Sequence, residues 1–390
     1  MSASSASSCR TALVLSGGGA RGAYQVGVLR GLSDLGVLPR GRSPFEILVG
    51  ASAGAINAAS LAAYADRLDD AVRLLEEVWS HLRPPQVIRT DLRSLTGIGA
   101  RWVRDLSFGG VLGHVMPKSL LDTAPLRDLL RTRIPFDRIG RMLRADRLHA
   151  LAVLATDLYT SHAVVFAHGG PGLASWQRSW SRVERTAIDV DHVMASSAIP
   201  IFFPSVEIDG RHYGDGCIRN TTPLSPAIHL GADRIVAIGV RGPELTGGPG
   251  YGAGRPPPTV AQIAGVLLDA VMLDAIEVDV EHSRRVNDSI ISCPVGDHAN
   301  PFRWVDVLWL RPSRSIGVIA GEMSGHIPRI VRYLMRGLGS VESATELASY
   351  LLFDADFCRR LIELGRADVL ARREDVEAFF AAAPAVAAGT

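Results

Sequence analysis

Between Ala12 and Ala65 one local pattern occurs twice: a short apolar run, a turn of glycine and other small residues, then a helical stretch with an apolar face. The first copy runs from Ala12 to Leu15, turns through Ser16 to Gly19, and continues from Ala20 to Leu35 with Val28, Leu29, Leu32 and Leu35 on one side. The second places Ile47 to Val49 after Phe45, turns through Gly50, Ala51, Ser52, Ala53 and Gly54, and continues as an Ala-rich helix. A helix between two strands returns the chain to its starting edge, so the pattern demands parallel strands. Further strands are expected at His149 to Ala155, Ala163 to Ala167, Arg234 to Gly239 and Val305 to Leu310. The fold class is therefore α/β, layered around a mainly parallel central sheet. Residues 47 to 65 carry no charge over nineteen positions, long enough for a membrane span. Gly50, Ser52 and Gly54 would be poor helix formers in its middle, which favours strand, turn and helix instead.

Residues 80 to 148 break the pattern with Pro84, Pro85, several glycines and short amphipathic pieces, and are expected as an inserted cap on a catalytic domain spanning 11 to 318. Between residues 83 and 147 stand thirteen Lys/Arg against six Asp. Such a patch suits peripheral contact with an anionic membrane. The competing expectation is a solvated surface, paired locally. Residues 241 to 258 are too rich in Gly and Pro for a packed element and are expected as a flexible loop. Thr259 and Gln262 have the spacing of a capping box, opening a helix toward Val286. A helical C-terminal extension is expected over 319 to 380, with tails at 1 to 10 and 381 to 390.

Charge and cysteine usage remove several functions. Lys+Arg of 41 against Asp+Glu of 40 leave +1 overall, so no whole-molecule field gathers nucleic acid. Cys9, Cys217, Cys293 and Cys358 lie far apart with no CxxC pair, which argues against a zinc site and a disulfide scaffold. The sequence holds no HExxH, and no metal is expected. A Ser-rich start without an apolar leader points to a cytoplasmic protein. Lys118 is the sole lysine, an arginine bias that fits a G+C-rich bacterial genome.

Gly17, Gly18, Gly19, Ala20, Arg21 and Gly22 match GxGxxG, so dinucleotide binding must be weighed. That reading needs an acidic residue after the next strand, where the chain has Val49 and Gly50. Arg42, near the expected spacing, would suit a 2′-phosphate. A P-loop is excluded because Ala23, not Lys, follows Gly22.

Gly50 to Gly54 read GxSxG where a strand runs straight into a helix, the context in which a central serine stands exposed on a strained turn. A serine hydroxyl needs a base, and a carbonyl under attack needs donors for its new charge. Backbone N–H groups around Gly18 and Gly19, ahead of a helix N-terminus, fit the second need, and Ala53 N–H adds a donor. Arg21 would steady that loop or the oxyanion. For the base, His282, His298 and His326 qualify by chain order alone, and Asp215 lies in the run from Ile199 to Gly239.

Four motifs stand together: GGGxRG at Gly17 to Gly22, GxSxG around Ser52, the IPIFFP block at 199 to 204, and Asp215-Gly216. In this order and spacing the chain resembles the patatin-like phospholipases over roughly residues 11 to 240, and SYLLFD at 349 to 354 is similar to bacterial members. The resemblance implies a three-layer α/β/α patatin-like fold and a Ser-Asp dyad without histidine. Ser52 is then the nucleophile, Asp215 the base, and Gly17, Gly18, Gly19, Arg21, Gly22 and Ala53 form the oxyanion hole, with Gly50, Gly54 and Gly216 shaping the turns. Where the family has DGG or DGA, this chain has Cys217 as the third residue. The implied reaction is hydrolysis of fatty-acyl esters of phospholipids or lysophospholipids through an acyl-enzyme, with no cofactor. Alkoxide departure from an ester asks less of a weak carboxylate base than amine departure from an amide. The alternatives are a thioesterase or acyltransferase on the same dyad, and a lipid- or nucleotide-binding regulator without turnover.

Overall fold

The computed structural model describes residues 9–39, 41–89, 119–173, 175–243, 260–292, 303–323, 325, 332 and 345–382. Among these residues one sheet holds ten strands: β1 (Thr11–Leu15), β2 (Ile47–Ala51), β3 (Ala150–Asp157), β4 (His162–Gly169), β5 (Gln177–Arg178), β6 (Ser181–Arg185), β7 (Val206–Ile208), β8 (Arg211–Asp215), β9 (Arg234–Ile238) and β10 (Asp306–Leu310). Their order is β10-β9-β1-β2-β3-β4-β6-β5, with β8 also on β3 and β7 on β8. The first five in that order are mutually parallel, as the doubled strand-turn-helix pattern requires. All of β2 and β3 is buried, as parallel strands covered on both faces must be.

Of the other part of the sheet only β4, expected at Ala163 to Ala167, was legible in the sequence, and its direction was not. β4 and β8 both run antiparallel to β3, and the hairpins β5-β6 and β7-β8 fall where no strand is expected. The β7-β8 turn uses Asp209 and Gly210, both at positive φ (50° and 75°), the conformation that matches a tight hairpin to strand twist.

Helices α1 (Gly22–Asp34), α2 (Ala53–Ala63) and α3 (Leu68–Ser80) follow the two turns. The described ends of the expected cap form α4 (Pro84–Val87), α5 (Ala124–Arg133) and α6 (Phe136–Arg144); residues 90–118 lie outside the described residues. Next come α7 (Val190–Ser196) before β7 and α8 (Ser225–His229) before β9. The helix expected from Thr259 to Val286 is two, α9 (Val260–Met272) and α10 (Asp274–Ser292), parted at Leu273. Thr259, and with it the expected capping box, lies outside the described residues, as do 244–258 of the expected loop. After β10 follow α11 (Ile316–Glu322), α12 (Thr345–Leu351), α13 (Ala355–Ala371) and α14 (Arg373–Ala381). Of the expected tails, residues 1–8 and 383–390 lie outside the described residues, whereas Arg10 N–H donates to Asp233 at 3.0 Å.

The C-terminal helices share the core of the sheet domain. α13 lies along α1 so closely that a Cβ on Gly27 would stand 2.1 Å from Ile362 O, and one on Gly365 2.3 Å from Tyr24 O. Phe357, Leu361 and Val369 are fully buried there with Leu29 and Leu32.

Candidate active site

The parallel strands share a carboxyl edge, where ligands bind in open α/β sheets. Register brings three segments to it: Leu15 pairs with Gly50, Gly50 with Val153, and Asp215 with Ala155 two residues further along β3. The glycine loop after β1, Ser52 after β2 and Asp215 at the end of β8 therefore meet at one place.

Ser52 is the corner between β2 and α2, at φ 54° and ψ −126°. A positive φ is costly for a residue with a side chain and persists only where surroundings impose it. Here they do. A Cβ on Gly50 would stand 2.3 Å from Gly54 O, and one on Gly54 2.3 Å from Leu15 O, so the corner closes only with glycine at both positions. Two serines at the end of α7 fix the backbone from the other side. Ser52 N–H donates to Ser196 Oγ at 3.0 Å, and Ser197 Oγ donates to Ser52 O at 3.2 Å. Neither was picked out from the sequence, although both immediately precede the IPIFFP block.

Asp215 is fully buried. Its main chain is held by Thr156 Oγ1, which donates to Asp215 O at 2.8 Å, and by its own N–H on Ala198 O at 3.1 Å. Oδ1 accepts the Cys217 N–H at 2.9 Å, whereas Oδ2 has no hydrogen-bond partner among the described residues. Burial pushes the carboxyl from 3.8 up to about 6, opposed first by the Ser52 hydroxyl and then by the Cys217 N–H and thiol. Ser52 thus lies close enough to favour the charged carboxylate without yet making a well-formed bond to Oδ2. Catalytic hydrogen bonds are often loose before substrate arrives.

Cys217 is buried too, and burial beside Asp215 raises its thiol well above the ordinary range, so it stays protonated and inert as a nucleophile. The Gly17 N–H faces this sulfur, and a Cβ on Gly17 would stand 2.3 Å from Sγ. The thiol fills the space beneath the glycine loop, and the turn after Asp215 survives the departure from glycine or alanine.

Gly18 (φ 149°) and Gly19 (φ 56°) carry the loop into a 3-10 turn and α1. Among the described residues no group accepts the N–H of Gly18, Gly19 or Ala53, and these donors sit at the N-terminal ends of α1 and α2. Gly22 lets the two ends lie side by side, since a Cβ there would be 2.7 Å from Ala53 Cβ. Gly216 likewise presses on Leu154 O at 2.2 Å from its missing Cβ.

Arg21 directs its guanidinium onto α9 and α12. Nε donates to Ser349 Oγ at 2.7 Å, and Nη2 donates to Glu346 Oε2 at 2.6 Å and Asp269 Oδ1 at 3.4 Å, while Tyr350 lies under its face at 4.2 Å. Of its two expected roles this geometry serves the first, steadying the loop. Gly19 sits directly on the same segment, 2.3 Å from Tyr350 O to a would-be Cβ. A second buried network joins the helices: Gln25 Nε2 to Ser16 O at 2.7 Å, Asn57 Nδ2 to Gln25 Oε1 at 2.9 Å, and Trp79 Nε1 to Asn57 Oδ1 at 3.0 Å.

Ser52, Gly19 and Ala53 stand at one wall of a cavity of about 240 Å³, whose other walls are apolar residues of α2, α3 and α5, including Ile56, Leu75, Trp79, Leu126 and Leu130, with Phe203 and Phe353. Among the described residues no histidine lines it. Of the histidines that chain order allowed, His282 is exposed on α10, and His298 and His326 lie outside the described residues. Arg42, weighed for a nucleotide phosphate, pairs with Glu46 at 3.4 Å on the surface. Among the described residues no group of His, Cys, Asp and Glu could hold a metal ion.

A family model described as patatin-like phospholipase matches residues 13–228. NTE family proteins of Mycobacterium tuberculosis and Mycobacterium bovis are 28% identical over 240 residues, 61% of this chain and 51% of theirs, so the chain spans about half the length of the curated relatives it matches. Among solved structures, VipD from Legionella pneumophila is similar at a TM-score of 0.33 with 15% identity, covering 91% of this chain and 67% of that one. A human GIVD cytosolic phospholipase A2 bound to methyl gamma-linolenyl fluorophosphonate gives a TM-score of 0.39 with 12% identity, covering 95% and 59%.

Proposed function

This chain belongs to the patatin-like phospholipase family, and from that premise we propose that it is a serine acyl hydrolase of lipid esters, with Ser52 as nucleophile and Asp215 as its base. The observation that supports the reading is a strained, buried serine at the wall of a mainly apolar cavity, with a buried carboxylate beside it whose Oδ2 has no hydrogen-bond partner among the described residues.

An acyl chain lies along Ile56, Leu75 and Leu130, bringing its ester carbonyl to Ser52. Ser52 Oγ attacks the carbonyl carbon while Asp215 Oδ2 takes the hydroxyl proton. The oxyanion is met by the N–H groups of Gly18, Gly19 and Ala53 at two helix N-termini. Collapse breaks the C–O bond to the alcohol, and Asp215 returns the proton to the departing oxygen. Water, deprotonated by Asp215, then cleaves the acyl-enzyme to release the fatty acid and restore Ser52. The substrate class is a phospholipid or lysophospholipid ester.

Lipid product analysis by mass spectrometry tests this. Wild-type protein is expected to release fatty acid and lysophospholipid from phospholipid, or fatty acid and the glycerophosphodiester from lysophospholipid, and Ser52→Ala none. Release at an undiminished rate by Ser52→Ala would overturn the assignment, and turnover confined to acyl thioesters would move it to the thioesterase alternative.

A further inference from the structure

We propose that the sheet edge carrying Ser52 docks on a phospholipid bilayer with anionic headgroups, through the outer face of α9 on one side and the turn tips beyond β3 and β5 on the other. This rests on the lipid-hydrolase reading of the site and adds where the protein meets its substrate's phase.

Two groups of exposed large apolar side chains lie there. On α9, Ile263, Val266 and Leu267 are 49%, 68% and 62% exposed, with the i, i+3, i+4 spacing of a single stripe. The opposite side of the same helix faces the site: Asp269 Oδ1 accepts from Arg21 at 3.4 Å and from Tyr350 Oη at 2.7 Å, and Met272 is buried beside Gly17 and Cys217. α9 is thus an amphipathic helix resting on the glycine loop with its apolar face outward. Across the site, Leu158 and Tyr159 follow the last residue of β3 and are 46% and 71% exposed. Trp180, 64% exposed, tops the β5-β6 hairpin, where its carbonyl accepts the Ala163 N–H at 2.9 Å, and Ala163 in turn pairs with Thr156 of β3. Ala51 pairs with Leu154, so Leu158 stands three residues past the level of Ser52, about 10 Å at about 3.3 Å per residue.

Charge selects the occupant. Arg219 lies over the Trp180 ring at 5.4 Å and donates to Ser161 O at 2.9 Å, and Arg178 bonds His229 at 2.9 Å. Neither has a carboxylate partner among the described residues. Aromatic side chains flanked by guanidinium groups that no carboxylate neutralises suit the headgroup level of an anionic bilayer. A second copy of the chain would instead set the same cations against each other. No helix among the described residues is long and apolar enough to cross a membrane, and α9 has thirteen residues where a span needs about twenty, so it would lie in the interface. The cap carries less net positive charge on its surface than its composition implies, in part because Arg89, Arg127, Arg138 and Arg141 are paired with Asp122, Asp191, Asp66 and Asp137.

The test is co-sedimentation of the full chain with vesicles of phosphatidylcholine, with and without phosphatidylglycerol. Wild type and Ser52→Ala are expected to partition alike and more strongly with phosphatidylglycerol. Leu267→Glu and Tyr159→Glu should each weaken partition by about tenfold or more, the scale of one buried apolar side chain. Both should keep the wild-type rate on a soluble short-chain ester, which reports an intact fold and site. The cap variant Arg131→Glu/Arg144→Glu should bind as wild type. Undiminished partition of both edge variants, loss in the cap variant alone, or a solution dimer dissociated by Leu267→Glu would overturn the proposal. Because partition is read with Ser52→Ala as well, loss of the hydrolase reading and loss of the docking surface are separate results.

Discussion

Asp215 is held in a state it would not choose in water. Its carboxyl is raised from 3.8 to about 6 because burial penalises the charge more than Ser52 and Cys217 repay it. As the proposed base it must be ionised to accept the serine proton, so kcat/KM is expected to fall as pH drops through about 6, as a pH series on a soluble ester would record. The same shift bears on stability with the opposite preference. Between 3.8 and about 6 the folded state binds the proton more tightly than the unfolded chain, so folding is favoured at low pH and loses about 3 kcal/mol as pH rises through that window. Asp215→Asn, which carries no charge, should therefore be inactive yet more stable than wild type at pH 8, by up to about 3 kcal/mol, with the gap closing toward pH 4 in urea titrations. Equal stability at both pH values would show that the carboxylate is not desolvated. At this scale the sequence was informative where steric demand leaves a signature. Gly50, Gly54 and Ser52 are readable because only small residues close that corner. Ser196, Ser197 and the orientation of Arg21 were not, since their partners lie 144, 145 and more than 300 positions away.

The glycine loop is held by an element that arrives near the end of the chain. Arg21 reaches across to Ser349, Glu346 and the Tyr350 ring on α12 and to Asp269 on α9, and its guanidinium is almost wholly buried. Removing one member of a buried ionic cluster leaves the others unpaired. Arg21→Met is expected to cost about 3 kcal/mol of stability and, because the N–H groups of Gly18 and Gly19 lose their anchor, to lower kcat more than KM changes. Chemical denaturation and ester kinetics on one preparation check both, and an unchanged kcat would separate the loop from its clamp. Gly19→Ala should show the kinetic defect too, since its Cβ would meet Tyr350 O at 2.3 Å and the backbone there has φ 56°. The SYLLFD segment was recognised by resemblance alone. Its contact with the loop could not be read from periodicity, because the two segments share no local pattern.

Across the whole molecule, β4 and the parallel part of the sheet were legible and the antiparallel hairpins were not, for one physical reason. A buried strand reads as a continuous apolar run, as in Ile47 to Val49, Ala163 to Ala167 and Ile235 to Ile238. β6 and β8 are short, partly exposed and rich in Arg, His and Glu, so they carry no such run, although the Asp209-Gly210 turn gave a hairpin signal that went unread. It is this inconspicuous antiparallel strand, β8, that delivers Asp215 to the edge where β2 delivers Ser52. The central claim is that this meeting creates an activated serine, and intact-mass measurement after exposure to a fluorophosphonate tests it most directly. Wild-type protein should gain one adduct, mapped to Ser52, at a rate that rises with pH through about 6; Ser52→Ala should gain none, and Asp215→Asn should be labelled at least about a hundredfold more slowly. A folded wild type that stays unlabelled, or an Asp215→Asn protein labelled as fast as wild type, would contradict it.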